Sequence, residues 1–158
     1  MECDEVCKGF EQEWGMGMGS HDHVDILVRR SKSFYSYALE ALSRGDFDLA
    51  LFLLEQATQL RVKALLLRLL GFIPKEHRIR ELLGILAKYL ESLNREELAR
   101  LVQQFVDVWT SELRVVEEAY TGSRYLLRIY DKSDVEKALK VVEELFKVVE
   151  AVESSVFS

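Results

Sequence analysis

Residues 45–83 read GDFDLALFLLEQATQLRVKALLLRLLGFIPKEHRIRELL. The stretch holds the chain's only proline, Pro74, and its most apolar run, residues 49–54. Gly45 tolerates a left-handed backbone and so closes a preceding helix. Asp46 is a good N-cap for the next one, which runs to about Leu70. Its first half, LALFLL, is apolar all round, so it must be covered on several sides. Burying one such leucine is worth about 1.5–3 kcal/mol, and leaving the set exposed would invite aggregation. The helix is therefore either the centre of a bundle or also a subunit interface. Glu55, Gln56, Gln59, Arg61 and Lys63 are polar breaks in it. Gly71 ends it, and residues 72–77 connect onward, with Pro74 in the loop or at a helix start.

Working outward, a helix over about 24–43 carries Leu27, Phe34, Ala38 and Ala41 or Leu42 at three- and four-residue steps. A third helix starts at about Lys75 or His77 and ends near Leu90, with Ile79, Leu82, Leu83, Leu86 and Leu90 as its stripe. Asn94 and Glu97 approximate a capping box ahead of a fourth helix over 95–120. Leu98, Val102, Phe105, Trp109, Leu113, Val116 and Tyr120 form one stripe along it. Its length of about 39 Å is close to that of the second helix, as an up-down bundle requires. Residues 121–123, TGS, read as a break, and 124–131 as at most one turn. Ser133 and Glu136 form a capping box before a fifth helix over about 134–153. There Val135, Ala138, Val142, Leu145, Val149 and Val152 make a clean seam. The fold class is all-α, an up-down four-helix bundle with an additional short helix.

Composition narrows the function. The chain has 158 residues, 49% hydrophobic and 30% charged, which suits one globular domain. A net charge of -6 rules out a general basic surface, so non-specific binding to nucleic acid or anionic membrane is not the default. No uncharged apolar stretch of about 18 residues is present, so no membrane span is expected. Residues 1–22 lack the apolar core of a secretory signal and read as a flexible leader before a domain at 23–158. Cys3 and Cys7 provide no disulfide framework, and a reducing cytoplasm is the expected compartment. Cys3, Cys7, His21 and His23 are the residue types zinc prefers. Their C-x3-C and H-x-H spacing matches no common finger, and a leader that adds nothing to the core is the plainer reading. No metal or cofactor is expected.

Two side chains lead the candidate site. Arg124, between Ser123 and Tyr125 at a helix exit, suits bidentate grip of a phosphate or carboxylate. The plain alternative is that it caps its own helix by bonding the last carbonyls. Tyr125 and Tyr130 offer rings for stacking or hydroxyls. His77 titrates in the neutral range when unperturbed, and its plain alternative is a structural bond to a backbone carbonyl nearby. It sits in KEHRIR, the densest basic cluster of the body, with Lys75, Arg78 and Arg80. The candidate ligand contacts are therefore His77, Arg78, Arg124, Tyr125 and Tyr130. The basic turn Arg29, Arg30, Lys32 reads as a solvated face. Phe105 and Trp109 read as core. No Gly-rich phosphate loop or Ser/His/Asp set stands out.

The run ALSRGDFDLALFLLEQATQLRVKALLLRLLGFIPKEHRIRELL resembles the core of the HEPN family, small helical domains common in archaea and bacteria. The landmarks are Gly45-Asp46, Ala50, Gln56-Ala57, Lys63-Ala64-Leu65, Gly71, His77 and Leu82-Leu83. A second landmark is AYTGSRYLLRIY, through Ala119-Tyr120 and Ser123-Arg124-Tyr125. The resemblance covers roughly residues 24–152. It implies the same bundle, usually a homodimer, with nucleotide or RNA as ligand. It also implies partnership with a minimal nucleotidyltransferase, in some cases as toxin and antitoxin. The nuclease branch of the family carries an arginine and a histidine a few residues apart, one to stabilise phosphate charge and one to handle a 2′-hydroxyl proton. That pair is missing here. Arg68 lies too far before His77, and no histidine follows Arg124 or Arg128. A non-enzymatic module is therefore the first reading. A divergent ribonuclease using His77 and Arg124 as catalytic residues is the alternative.

Overall fold

Gly45 and Gly71 both take the left-handed backbone, with φ of 80° and 82°, and the chain between them coils into one helix. The computed structural model describes residues 20–158. Six helices and no strands occupy these residues: α1 Ser20–Arg44, α2 Phe47–Leu70, α3 Ile79–Ser92, α4 Glu96–Val108, α5 Thr110–Tyr125 and α6 Lys132–Phe157. At Gly45 the backbone N–H bonds the Leu42 carbonyl, and the next N–H bonds Ala41. These are the paired bonds by which a left-handed residue closes a helix, and they turn α1 back along α2.

The apolar α2 is the axis of the bundle, as its sequence demands. α1 packs along it, α5 and α6 cover its other sides, and α3 touches it more lightly. Leu51, Leu54, Leu65 and Leu66 are fully buried. Much of the leucine excess is thus covered within the chain, while Leu53, Leu60, Leu69 and Leu70 are half-buried and Leu49 is 50% exposed. The all-α bundle is as expected. The α3 stripe Ile79, Leu82, Leu83, Leu86, Leu90 and the entire α6 seam are buried. Side-chain ties fasten the helices: Ser31 Oγ donates to the Ala57 carbonyl, Tyr35 Oη to Glu143, and Arg61 forks onto Glu153.

Local details depart from the expected pattern for physical reasons. The expected leader at 1–22 falls mostly outside the described residues, and α1 begins at Ser20. α3 starts at Ile79, so His77 lies in a loop rather than at a helix start. Asn94 is not an N-cap. Its φ of 59° closes α3, and the N–H groups of Asn94 and Arg95 bond Glu91 and Leu90 carbonyls. The helix expected over 95–120 bends at Trp109 into α4 and α5. There the Thr110 hydroxyl donates to the Val106 carbonyl, a competition with the backbone ladder that bends helices. The cap of α6 is Asp131–Asp134, each side chain accepting from the other's backbone N–H, and not Ser133–Glu136. The earlier frame starts the helix two residues sooner, at Lys132.

The expected break at 121–123 is absent, because α5 continues to Tyr125. Gly122 is there for space. A Cβ added to it would lie 2.3 Å from Tyr130 Oη, and that buried hydroxyl has no hydrogen-bond partner among the described residues. Helix propensity alone would favour Gly122→Ala by about 1 kcal/mol. We expect it instead to destabilise by about 1–3 kcal/mol through overpacking. Tyr130→Phe removes the clashing, unsatisfied oxygen and should restore stability when combined with it, a coupling that a double-mutant cycle by urea denaturation measures. A second contrast concerns neighbouring cations. Arg80 forks onto Glu117 of α5, whose side chain is nearly buried, whereas Arg78 sits 3.7 Å from Glu81 in solvent. Arg80→Ala should cost about 2–3 kcal/mol and Arg78→Ala about 0.5 kcal/mol or less in the same measurement.

Candidate functional site

Glu55, Gln59 and Lys63 follow one another at four-residue steps on α2, so one face of an apolar helix carries three polar side chains. Tyr120 and Arg124 repeat that spacing on α5. The loop before α3 brings His77 to both. Its Nδ1 lies 3.2 Å from Gln59 Oε1, and its ring stacks on Tyr120 with centroids 5.5 Å apart and an interplanar angle of 14°. The Arg124 guanidinium lies 4.7 Å from the Tyr120 ring centroid, 5.1 Å from that of Phe52 and 4.8 Å from that of Tyr125. Its Nε donates to the Tyr120 carbonyl at 2.7 Å, and Nη2 donates to the same oxygen. Nη1 has no acceptor among the described residues.

Behind this surface lies Glu55, 1% exposed. Its Oε1 accepts from Gln59 Nε2 and its Oε2 from Gln56 Nε2, both at 2.7 Å. Burial pushes its carboxyl up from 4.5 to about 7, against the opposing pull of the two amides and of the Arg124 and Lys63 charges. Lys63 is pulled down by desolvation, with Glu55 and Glu76 opposing. The site therefore joins a fixed cation, aromatic faces, an imidazole and a carboxyl that changes charge near neutrality.

His77 and Arg124, far apart in sequence, thus both lie against one tyrosine ring. Tyr125 joins them, 73% exposed under the guanidinium. Arg78 stays at the rim. Tyr130 is buried against Gly122, with the Arg128 guanidinium over its ring, and is not part of this cluster. The expected capping by Arg124 is present, and the same bonds aim it. The structural bond of His77 goes to the Gln59 side chain, not to a backbone carbonyl. Glu55, Gln59, Lys63 and Tyr120 were not among the expected site residues. Their signal was visible, since polar residues at i, i+4 and i+8 in an otherwise apolar helix share one face. Of the candidate metal ligands, Cys3 and Cys7 lie outside the described residues, and His21 is exposed 3.9 Å from Asp25. No cluster of three potential ligands occurs among the described residues.

Glu55 makes stability depend on pH. Between 4.5 and about 7 the folded chain holds a proton that the unfolded chain has released, so stability falls as pH rises through that window and levels off above it. Relative to Glu55→Gln, the wild type should lose on the order of 3 kcal/mol across the window. Urea unfolding of both proteins at several pH values reads the difference directly.

No curated protein matches the chain. Among solved structures it is similar to TT1696 from Thermus thermophilus, with a TM-score of 0.57 at 20% identity over 81% of this chain and 96% of that one. That likeness concerns the fold. No helix among the described residues is long and apolar enough to cross a membrane. The HEPN domain family model matches residues 24–152, most of the sequence, and the chain belongs to the HEPN domain family.

Proposed function

We propose that this chain is a HEPN interaction and nucleotide-binding module that acts as a homodimer and partners a minimal nucleotidyltransferase in a toxin–antitoxin-like pair. The observation that carries the ligand site is Arg124. Its guanidinium is held by the Tyr120 carbonyl, is framed by Phe52, Tyr120 and Tyr125, and keeps Nη1 for an outside acceptor. A fixed guanidinium suits a phosphate, and exposed rings beside it suit a base. A protein partner is supported by Leu126, Leu127 and Ile129, which follow Tyr125 and are exposed together, since contiguous exposed apolar surface marks interaction sites.

A second reading is a divergent ribonuclease with His77 as the proton-handling group and Arg124 as the phosphate clamp. The shared Tyr120 ring favours it, as does the hold of Gln59 on His77. The absence from the sequence of the family's closely spaced arginine and histidine speaks against it.

Titration calorimetry with a nucleoside monophosphate separates ligand binding from its absence. Arg124→Ala should weaken binding by about tenfold or more, as expected for losing charge-assisted hydrogen bonds. Equal binding by the variant would remove Arg124 from the site. For the ribonuclease reading, RNA cleavage left unchanged by His77→Ala would end it. A monomer in light scattering, with no co-purifying partner and no nucleotide binding, would sink the module reading.

A further inference from the structure

Glu55, Gln59 and His77 form a hydrogen-bonded chain that runs from the interior to the surface. Each link constrains the next. An ionised carboxylate can only accept, so the Gln59 edge facing Glu55 Oε1 at 2.7 Å must be the NH2 group. The amide oxygen is then on the opposite edge and faces His77 Nδ1 at 3.2 Å. An amide oxygen can only accept, so Nδ1 must carry a hydrogen. In a neutral imidazole the other nitrogen is then bare. Neutral histidine in water favours the reverse arrangement, with hydrogen on Nε2. The stack on Tyr120 fixes the ring plane, and His77 is exposed.

We propose that Glu55 and Gln59 are positioning residues that lock His77 as its Nδ1–H tautomer, so that neutral His77 offers a bare Nε2 lone pair to the ligand. Resting on the ligand-site reading above, this names the ligand class. It is an anion for Arg124 that also carries a hydrogen-bond donor, a hydroxyl or an amino group, for Nε2. Inorganic sulfate, which carries no hydrogen at neutral pH or above, supplies only the first. The cations facing Glu55 are Lys63 on its own helix and Arg124 on α5, with Glu76 of the loop acting on Lys63. Burial raises Glu55 to about 7 against both cations, so the carboxylate that the chain requires is the form present at the pH of the test below.

The test is nitrogen–proton correlation NMR on the full chain labelled at histidine nitrogen, at about pH 8.5, above the ordinary histidine range. In the wild type His77 should show a hydrogen on Nδ1, while free histidine in the same buffer shows the water-like form and serves as the control. Gln59→Leu should return His77 to the Nε2–H form. Glu55→Leu should do so in part, and Glu55→Gln should retain the lock, because its amide oxygen still accepts from Gln59. An Nε2–H wild-type His77 overturns the proposal, with no variant needed. So does an Nδ1–H form that survives in folded Gln59→Leu. The ligand half is read with adenosine monophosphate and inorganic sulfate as probes. Gln59→Leu should weaken the nucleotide by about tenfold, on the order of one hydrogen bond, and leave sulfate unchanged, and equal losses for both would overturn it. An Nδ1–H His77 in a protein that binds neither probe would refute the ligand site and leave the tautomer lock standing.

Discussion

A helix that is apolar on every side has to be enclosed, and the rest of this chain is arranged to enclose α2. Gly45 reverses the chain so that α1 lies along it, and α5 and α6 close the remaining sides. Enclosure then governs each polar group that α2 carries. The Thr58 hydroxyl turns back to the Leu54 carbonyl, and Arg61 meets Glu153 of α6 through two parallel bonds. Glu55 has no cation within direct reach, so it is held by two amides of its own helix. Buried polar groups are satisfied or they cost heavily, and here each finds a partner near at hand.

The same enclosure creates the chemistry of the site. A carboxyl in water would be ionised throughout the neutral range. Glu55 is not, because burial raises it to about 7. Lys63 on the same face is moved in the opposite sense by the same cause. Burial thus makes Glu55 responsive near neutrality. Arg124, in contrast, remains outside, tied by its own helix terminus. The site is a boundary between a low-dielectric interior and water, with Gln59 and His77 bridging the two.

Helical phase explains why the basic cluster KEHRIR does not act as a unit. Lys75 and His77 precede the helix, and Arg78 stands at its N-terminal boundary in solvent. Arg80, two residues on, faces α5 and is consumed by Glu117. Charge density along a sequence is therefore a poor measure of charge density at a surface. The exposed segment 126–129, with Leu126, Leu127 and Ile129 around Arg128, is the complementary case. It follows the last turn of α5, where Gly122 admits the Tyr130 ring and draws the chain inward again, leaving the residues between on the outside.

Periodicity alone determined the helices, their apolar stripes and α2 as the one needing cover, since burial of one face imposes a repeat that any sequence must display. His77 and Arg124 were legible as residue types at helix boundaries. Tertiary structure decided what periodicity does not encode. A stripe continues across a bend, so the break at Trp109 left no mark. A glycine reads the same whether it ends a helix or makes room for a ring, so Gly122 was mistaken for a stop. Two capping frames, Asp131–Asp134 and Ser133–Glu136, are equally good in one dimension. Above all, the meeting of His77 with Arg124 on Tyr120, backed by Gln59 and Glu55, depends on how the loop before α3 lies against α2 and α5. That placement is set by packing between segments distant in sequence, and no local pattern carries it.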